Sequence, residues 1–89
     1  MSANNQTLIK EQGGKFYVFE NVNAESWADK TGGVVELSIS GAKGVFDNRD
    51  DAFNFALEVD RADDQLGGTE YGVQFNRLCK DDAEVKLIP

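Results

Sequence analysis

The sequence predicts an α+β fold in which a small antiparallel β-sheet of four to five strands packs against one main helix. Several stretches alternate apolar and polar side chains with the two-residue period of a strand. The stretch from residue 47 to residue 64 instead has apolar side chains at helical steps of three and four. Glycine pairs separate these stretches, as turns do. Strands arranged around one helix favour an antiparallel sheet covered on one face.

The length of 89 residues suits one domain. We expect residues 1–6, which are polar, to form a flexible N-terminus. Residues 7–89 are then predicted to form a single α+β domain. Within it, residues 7–11 are predicted to be a short edge strand, and Gly13-Gly14 supplies the turn that follows.

Residues 15–22 form the strongest predicted strand, because they are aromatic and β-branched. Its apolar side chains are expected on both faces, which is typical of a central or covered strand. One face is assigned Phe16, Val18 and Val22, and the other Tyr17 and Phe19. Residues 34–40 alternate strictly, which predicts Val35, Leu37 and Ile39 towards the core. A brief strand is expected at Val45-Phe46.

The helix is predicted to start at Asp47 or Asn48, either of which can cap backbone amides, and to run to about Asp64. Asp50 and Asp51 in its first turn suit the positive end of the helix dipole. Its apolar stripe is expected to pack on the sheet, and Phe53 and Leu57 widen it. The stripe consists of Ala52, Phe55, Ala56, Val59, Ala62 and Leu66.

The C-terminal part is predicted to be a hairpin. Residues 70–79 alternate, with Tyr71, Val73, Phe75 and Cys79 on one face, and residues 83–88 form the last strand. Cys79, on the inward face, is interpreted as a small core residue rather than a nucleophile.

The residue types present argue against an enzyme. The chain contains no histidine, so it lacks the usual general base and the commonest metal ligand. Acids at Asp47 and Glu58 have the spacing of an EF-hand, but Arg49 and Ala52 stand where that loop needs an oxygen ligand and a glycine. The glycine doublets do not match a phosphate-binding loop. We therefore expect no catalytic residue, no metal and no cofactor.

The charge of the chain points to a basic partner. Its formal charge is -7, which disfavours direct binding to nucleic acid or to an anionic membrane. A single cysteine and the absence of a long apolar run favour a reducing cytoplasm. Residues 47–64 alone carry -5, and a smaller acidic cluster lies at Asp81, Asp82 and Glu84.

The acids of the helix are the candidate partner-binding residues. Acids three or four positions apart on a helix lie about 5–6 Å from each other, which is close to the spacing of phosphates along a nucleic-acid strand. A plain solvated helix face is the alternative interpretation. The candidate residues are Asp47, Asp50, Asp51, Glu58, Asp60, Asp63 and Asp64. Trp27 is added as an aromatic anchor, although it could instead close one end of the core.

In size and character the chain resembles phage-encoded anti-CRISPR proteins: it is short, strongly acidic and histidine-free, with an acid-rich helix from Asp47 to Asp64. It is similar to inhibitors of type I (Cascade) systems, with type I-C as a candidate. These inhibitors share no common motif, so no residue role carries over. The resemblance implies a stoichiometric, non-catalytic inhibitor that acts in the cytoplasm of a bacterial host cell, docks on a Cas protein and blocks target DNA. We expect a monomer or a weak dimer.

Two other classes of function remain open at this point. An immunity or antitoxin-like protein that caps a basic nuclease toxin needs the same acidic surface. A small hydrolase that uses paired carboxylates ranks last, because the acids lie in polar settings without a visible substrate cleft.

Overall fold

The computed structural model describes residues 4–25, 34–62, 68–80 and 82–89. Within these ranges the chain forms one α-helix and seven strands, so the predicted α+β class with one main helix is confirmed. A 3-10 turn covers Ile39–Gly41. The elements are β1 (Asn5–Gln12), β2 (Lys15–Asn23), β3 (Val34–Ser38), β4 (Gly44–Phe46), α1 (Arg49–Ala62), β5 (Val73–Phe75), β6 (Arg77–Leu78) and β7 (Ala83–Ile88).

The strands form two sheets rather than the single antiparallel sheet that was expected. The four-stranded sheet has the order β4-β2-β1-β5, and the three-stranded sheet has the order β3-β7-β6. Each sheet contains one parallel pair, β1 with β5 and β3 with β7. Parallel neighbours are joined by long connections, whereas turn residues in the sequence indicate only local hairpins. The sequence pattern therefore could not reveal these two pairs.

β1 is a central strand, not the edge strand predicted for residues 7–11. It lies between β2 and β5, and it begins at Asn5, so the expected flexible N-terminus does not extend to residue 6. Leu8 and Ile9 are fully buried on opposite faces of the strand. β1 therefore contributes to the core on both sides.

β2 is covered on both faces, as predicted. Val18 packs against the α1 side, whereas Phe19 packs towards the three-stranded sheet. Val22 also lies on the Phe19 side and not with Val18, which corrects the expected assignment. The cause is a bulge, because the pairings Gln6↔Val22 and Leu8↔Phe19 place one extra residue in β2.

α1 covers one face of the four-stranded sheet. Asn48 caps it, because the Asp51 backbone amide donates to Asn48 Oδ1 at 2.8 Å. Ala52 and Ala56 are fully buried against the sheet. Ala62 was expected in the buried stripe but is exposed, and Leu66 lies outside the described residues.

The three-stranded sheet covers the other face. Val35, Leu37 and Ile39 pack against the core between the sheets, as the alternation predicted. Leu87 of β7 belongs to the same core cluster. The described part of the molecule therefore has three layers: α1, the four-stranded sheet and the three-stranded sheet.

Residues 70–79 do not form one strand. Asn76 adopts a left-handed backbone conformation (φ 66°), which separates β5 from β6. This break reverses the alternation that follows it, so Leu78 is buried and Cys79 is exposed, contrary to the prediction for Cys79. The predicted C-terminal hairpin is confirmed, with β6 and β7 antiparallel.

Two glutamine side chains of β1 link the sheets. Gln6 is fully buried, donates to the Arg77 carbonyl at 2.9 Å and accepts from the Cys79 amide at 2.9 Å. At the other end of β1, the Gln12 side chain bonds the amide and the carbonyl of Leu87 at 3.3 and 3.4 Å. Each glutamine side chain therefore pairs with two backbone groups on or next to a strand of the three-stranded sheet, and so ties that sheet to β1.

Candidate protein-binding surface

The outer face of α1 carries exposed acids. Asp50, Asp51 and Glu58 are exposed on the helix, and we call these three residues the outer acidic face. Because seven residues at 1.5 Å each make about two turns, Asp51 and Glu58 are about 10 Å apart along the axis. The ion pairs among the described residues involve none of the three. Asp51 Oδ2 accepts a 2.8 Å hydrogen bond from Asn48 Nδ2, but none of the ion pairs described offsets the three charges. Arg61 is the exposed base of the last turn.

Asp47, just before the helix, is partly compensated. Its carboxylate lies 2.7 Å from Lys15 Nζ on β2, and both groups are exposed. The hydrogen bond and the charge of Lys15 lower the pKa of Asp47. Asp47 is therefore a weaker contributor to the surface potential than its place in the sequence suggests.

Asp60 points inward rather than along the outer acidic face. Its Oδ1 accepts from Thr7 Oγ1 at 2.9 Å, and from the amide and the hydroxyl of Thr69 at 3.1 and 2.5 Å. The residue is only partly exposed. These contacts tie the end of α1 to β1 and to the chain before β5, so Asp60 has a structural role.

Three of the predicted site residues, Trp27, Asp63 and Asp64, lie outside the described residues. Of the smaller C-terminal cluster, Asp81 also lies outside the described ranges. Asp82 and Glu84 are close to Arg77, at 3.8 and 3.5 Å, which offsets part of their charge.

An aromatic patch at the side of α1 was not predicted as part of the site. Phe53 is 38% exposed and stacks on Phe75, with ring centroids 6.1 Å apart. The Arg49 guanidinium lies 4.2 Å above the Phe75 ring, a cation–π contact. Arg49 precedes Phe53 by four residues on α1, and this spacing could have predicted from the sequence that the two side chains lie on the same side of the helix. The patch offers apolar area beside the acids.

The described residues contain no group of three or more acids, cysteines or histidines arranged to hold a metal ion. Partial burial raises the pKa of the Cys79 thiol, which keeps it protonated near neutral pH and disfavours nucleophilic attack. No helix in the described ranges has the length and apolar character needed to span a bilayer.

Fold and surface together define a small, acidic, three-layer α+β domain with an acid-bearing helix on one side. Comparison of the chain with protein-family models, with curated proteins and with solved structures gives no match.

Proposed function

We propose that this protein is a non-catalytic inhibitor that binds a basic, nucleic-acid-binding surface of another protein through the outer acidic face of α1. The observation that carries the proposal is that Asp50, Asp51 and Glu58 are exposed and take part in none of the ion pairs among the described residues. Carboxylates held on a rigid helix attract clustered Lys and Arg and steer association.

The aromatic patch supports the same proposal. Charged contacts at an interface mainly provide orientation and association rate, whereas buried aromatic side chains provide most of the affinity. Phe53 is exposed on the same helix as the acids and is held in place by Phe75. A partner that covers both would gain dry contact area as well as charge complementarity.

The partner we propose is a subunit of a type I CRISPR surveillance complex, with type I-C as the candidate, because the chain resembles the small acidic inhibitors of such systems. The protein would occupy a DNA-binding groove of the complex and so prevent target DNA from binding. A basic nuclease toxin is the competing partner, since it presents the same kind of surface.

A matched pair of charge variants tests the proposal. The first is D50N/D51N/E58Q, which neutralises the outer acidic face, and the second is E11Q/D82N/E84Q, which makes the same change in net charge on exposed residues away from α1. Each purified protein is titrated into a type I-C Cascade complex with labelled target DNA, and DNA binding is measured by mobility shift. Affinity capture from a host lysate then identifies the partner.

We expect the wild-type protein and the second variant to block DNA binding, and the first variant to lose at least tenfold in potency, or about 1.4 kcal/mol. The inhibition should weaken as salt rises. Equal potency of both variants would overturn the assignment of the surface to α1. Failure of the wild-type protein to inhibit, with capture of a nuclease, would favour the toxin-capping alternative.

A further inference from the structure

A groove of about 850 Å³ opens between the two sheets, beside β2 and β3. Its lining includes the apolar side chains of Phe19, Val22, Val35, Leu37 and Leu78. Phe19 and Leu78 are buried, whereas Val22, Val35 and Leu37 remain partly exposed although they pack against the same core cluster. The groove is therefore an apolar surface continuous with the core, within the size range of ligand-binding cavities.

Two open strand edges border this groove. β3 pairs with β7 on one side, and no strand among the described residues pairs with its other side. β4 pairs with β2 only from Phe16 to Val18, so residues 19–23 of β2 have β1 on one side and no described strand on the other. Open edges expose backbone donors and acceptors that an added strand can satisfy.

β3 has one feature that usually protects an edge, the charge of Glu36 at its centre, and lacks others. Its five residues include no proline and no lysine, and its pairing with β7 is continuous without a bulge. At about 3.3 Å per residue, this edge offers about 17 Å for pairing, or about five residues of an extended peptide.

The charge at the groove favours a cationic partner. Among the described residues, Glu20, Glu25 and Glu36 line it together with Lys43. Glu20 lies 3.2 Å from Lys43, and Glu25 lies 3.9 Å from Lys80. Glu36, at the centre of β3, is exposed; its register partner on β7 is Lys86, but Glu36 takes part in none of the ion pairs described. A Lys or Arg on an added strand would complement it.

The same charge argues against a second copy of this chain as the occupant. Each copy carries a formal charge of -7. Antiparallel pairing of all five residues of β3 with their symmetry mates would place Glu36 directly opposite Glu36, and like charges in directly opposed positions destabilise a pair of strands.

We propose that this groove binds an extended segment of a partner protein, which adds as a strand to the outer edge of β3. Alternate apolar side chains of the segment enter the groove, and a Lys or Arg lies opposite Glu36. The site is on the face of the four-stranded sheet opposite α1, so it is separate from the outer acidic face and does not depend on the function proposed above.

A phage-displayed library of random nine-residue peptides, selected on the intact protein, provides the probe. The most strongly enriched peptide is synthesised and titrated into the isotope-labelled protein, and amide chemical shifts are followed by NMR. We expect enriched peptides to alternate apolar residues around a Lys or Arg. The largest shifts should fall in Val34–Ser38 and in residues 19–23.

A charge reversal at Glu36 tests its role in binding the peptide, and the same reversal at Glu11 is the control. Glu36→Lys should weaken binding of the selected peptide by about fivefold, consistent with the loss of one cross-strand charge pair. Glu11→Lys makes the same change at an exposed residue away from the groove and should leave the affinity unchanged. Replacing the peptide's central Lys or Arg with Glu should restore binding to the Glu36→Lys variant.

Other outcomes would overturn the proposal. A library that yields no specific binder, or shifts confined to α1, would show that β3 is not a peptide-binding edge. Concentration-dependent broadening at β3 without peptide would assign the edge to a second copy. Nuclear Overhauser contacts in the free protein between residues 26–33 and Val35 or Leu37 would assign the groove to the chain itself.

Discussion

The Thr7 hydroxyl donates a 2.9 Å hydrogen bond to the Asp60 carboxylate, which connects the central strand β1 to the last turns of α1. Thr69 donates to the same carboxylate oxygen from its amide and its hydroxyl. An acid that the sequence placed in a docking surface therefore holds three segments of the fold together. Charge variants designed to probe partner binding should leave Asp60 intact.

Replacing Asp60 with alanine should lower the free energy of unfolding by about 1–3 kcal/mol, because the hydroxyls of Thr7 and Thr69 lose their acceptor. Urea denaturation measures this directly. Glu58→Ala removes the same charge from an exposed position of the same helix and should change stability by no more than about 0.5 kcal/mol. Equal effects of the two substitutions would contradict the structural role of Asp60.

Gln6→Leu should destabilise the protein by about 1–3 kcal/mol, since it removes the fully buried side chain that pairs with the Arg77 carbonyl and the Cys79 amide. Gln12→Leu is the matched control, because Gln12 is exposed and its bonds to Leu87 are longer. Water can replace those bonds, so we expect a loss below about 1 kcal/mol. Thermal unfolding monitored by circular dichroism should rank the two variants in this order.

Gly44→Ala should destabilise the protein by about 1–3 kcal/mol through overpacking. A Cβ atom at residue 44 would lie 2.9 Å from ring atoms of both Phe46 and Phe55, and these rings pack against each other. Gly41→Ala is the control, because a Cβ there meets nothing within 4 Å. Unfolding of both variants at the same denaturant concentration would show that the rings of Phe46 and Phe55 do not pack closely against residue 44.

The carboxyl group of Asp47 should titrate at lower pH than an ordinary aspartate, because Lys15 stabilises its charged form. Since the pKa is lower in the folded state, the stabilisation is present above the pKa of the unfolded chain and is lost as pH falls through the folded value. NMR titration of the side-chain carboxyl carbon measures the pKa. Lys15→Gln should raise it, and an unchanged value in that variant would exclude the ion pair in solution.

Alkylation of Cys79 by iodoacetamide should be slower in the folded protein at neutral pH than in the unfolded chain, although the residue is exposed. Partial burial raises the pKa of the thiol, and only the thiolate reacts. The rate should rise about tenfold per pH unit below the pKa. Mass spectrometry follows the reaction, and a rate that levels off below pH 8 would indicate an activated cysteine instead.

Local elements could be predicted because each has a local cause. The apolar steps of α1, the capping side chain of Asn48 and the alternation of Val35 and Leu37 all act within a few residues of one another. These features specify a helix or a strand and the face that it buries. The α+β class follows from them.

The face that a side chain occupies could not be predicted where it depends on the backbone angles of one irregular residue in the strand. The bulge at β2 moved Val22 to the other face, and the left-handed Asn76 exchanged the environments of Leu78 and Cys79. An alternating pattern continues smoothly through such a residue in the sequence, but a single irregular residue inverts every side chain after it.

The sequence by itself determined the acidity of the chain, its main helix and most of its described strands, because composition and short-range periodicity are properties of neighbouring residues. The tertiary structure alone decided that the strands divide into two sheets, that Asp60 faces inward while Asp50 and Glu58 face solvent, and that a groove lies beside β3. These features depend on contacts between residues such as Thr7 and Asp60, which are 53 positions apart. Such pairings are fixed by the packing of the layers, which no local pattern encodes.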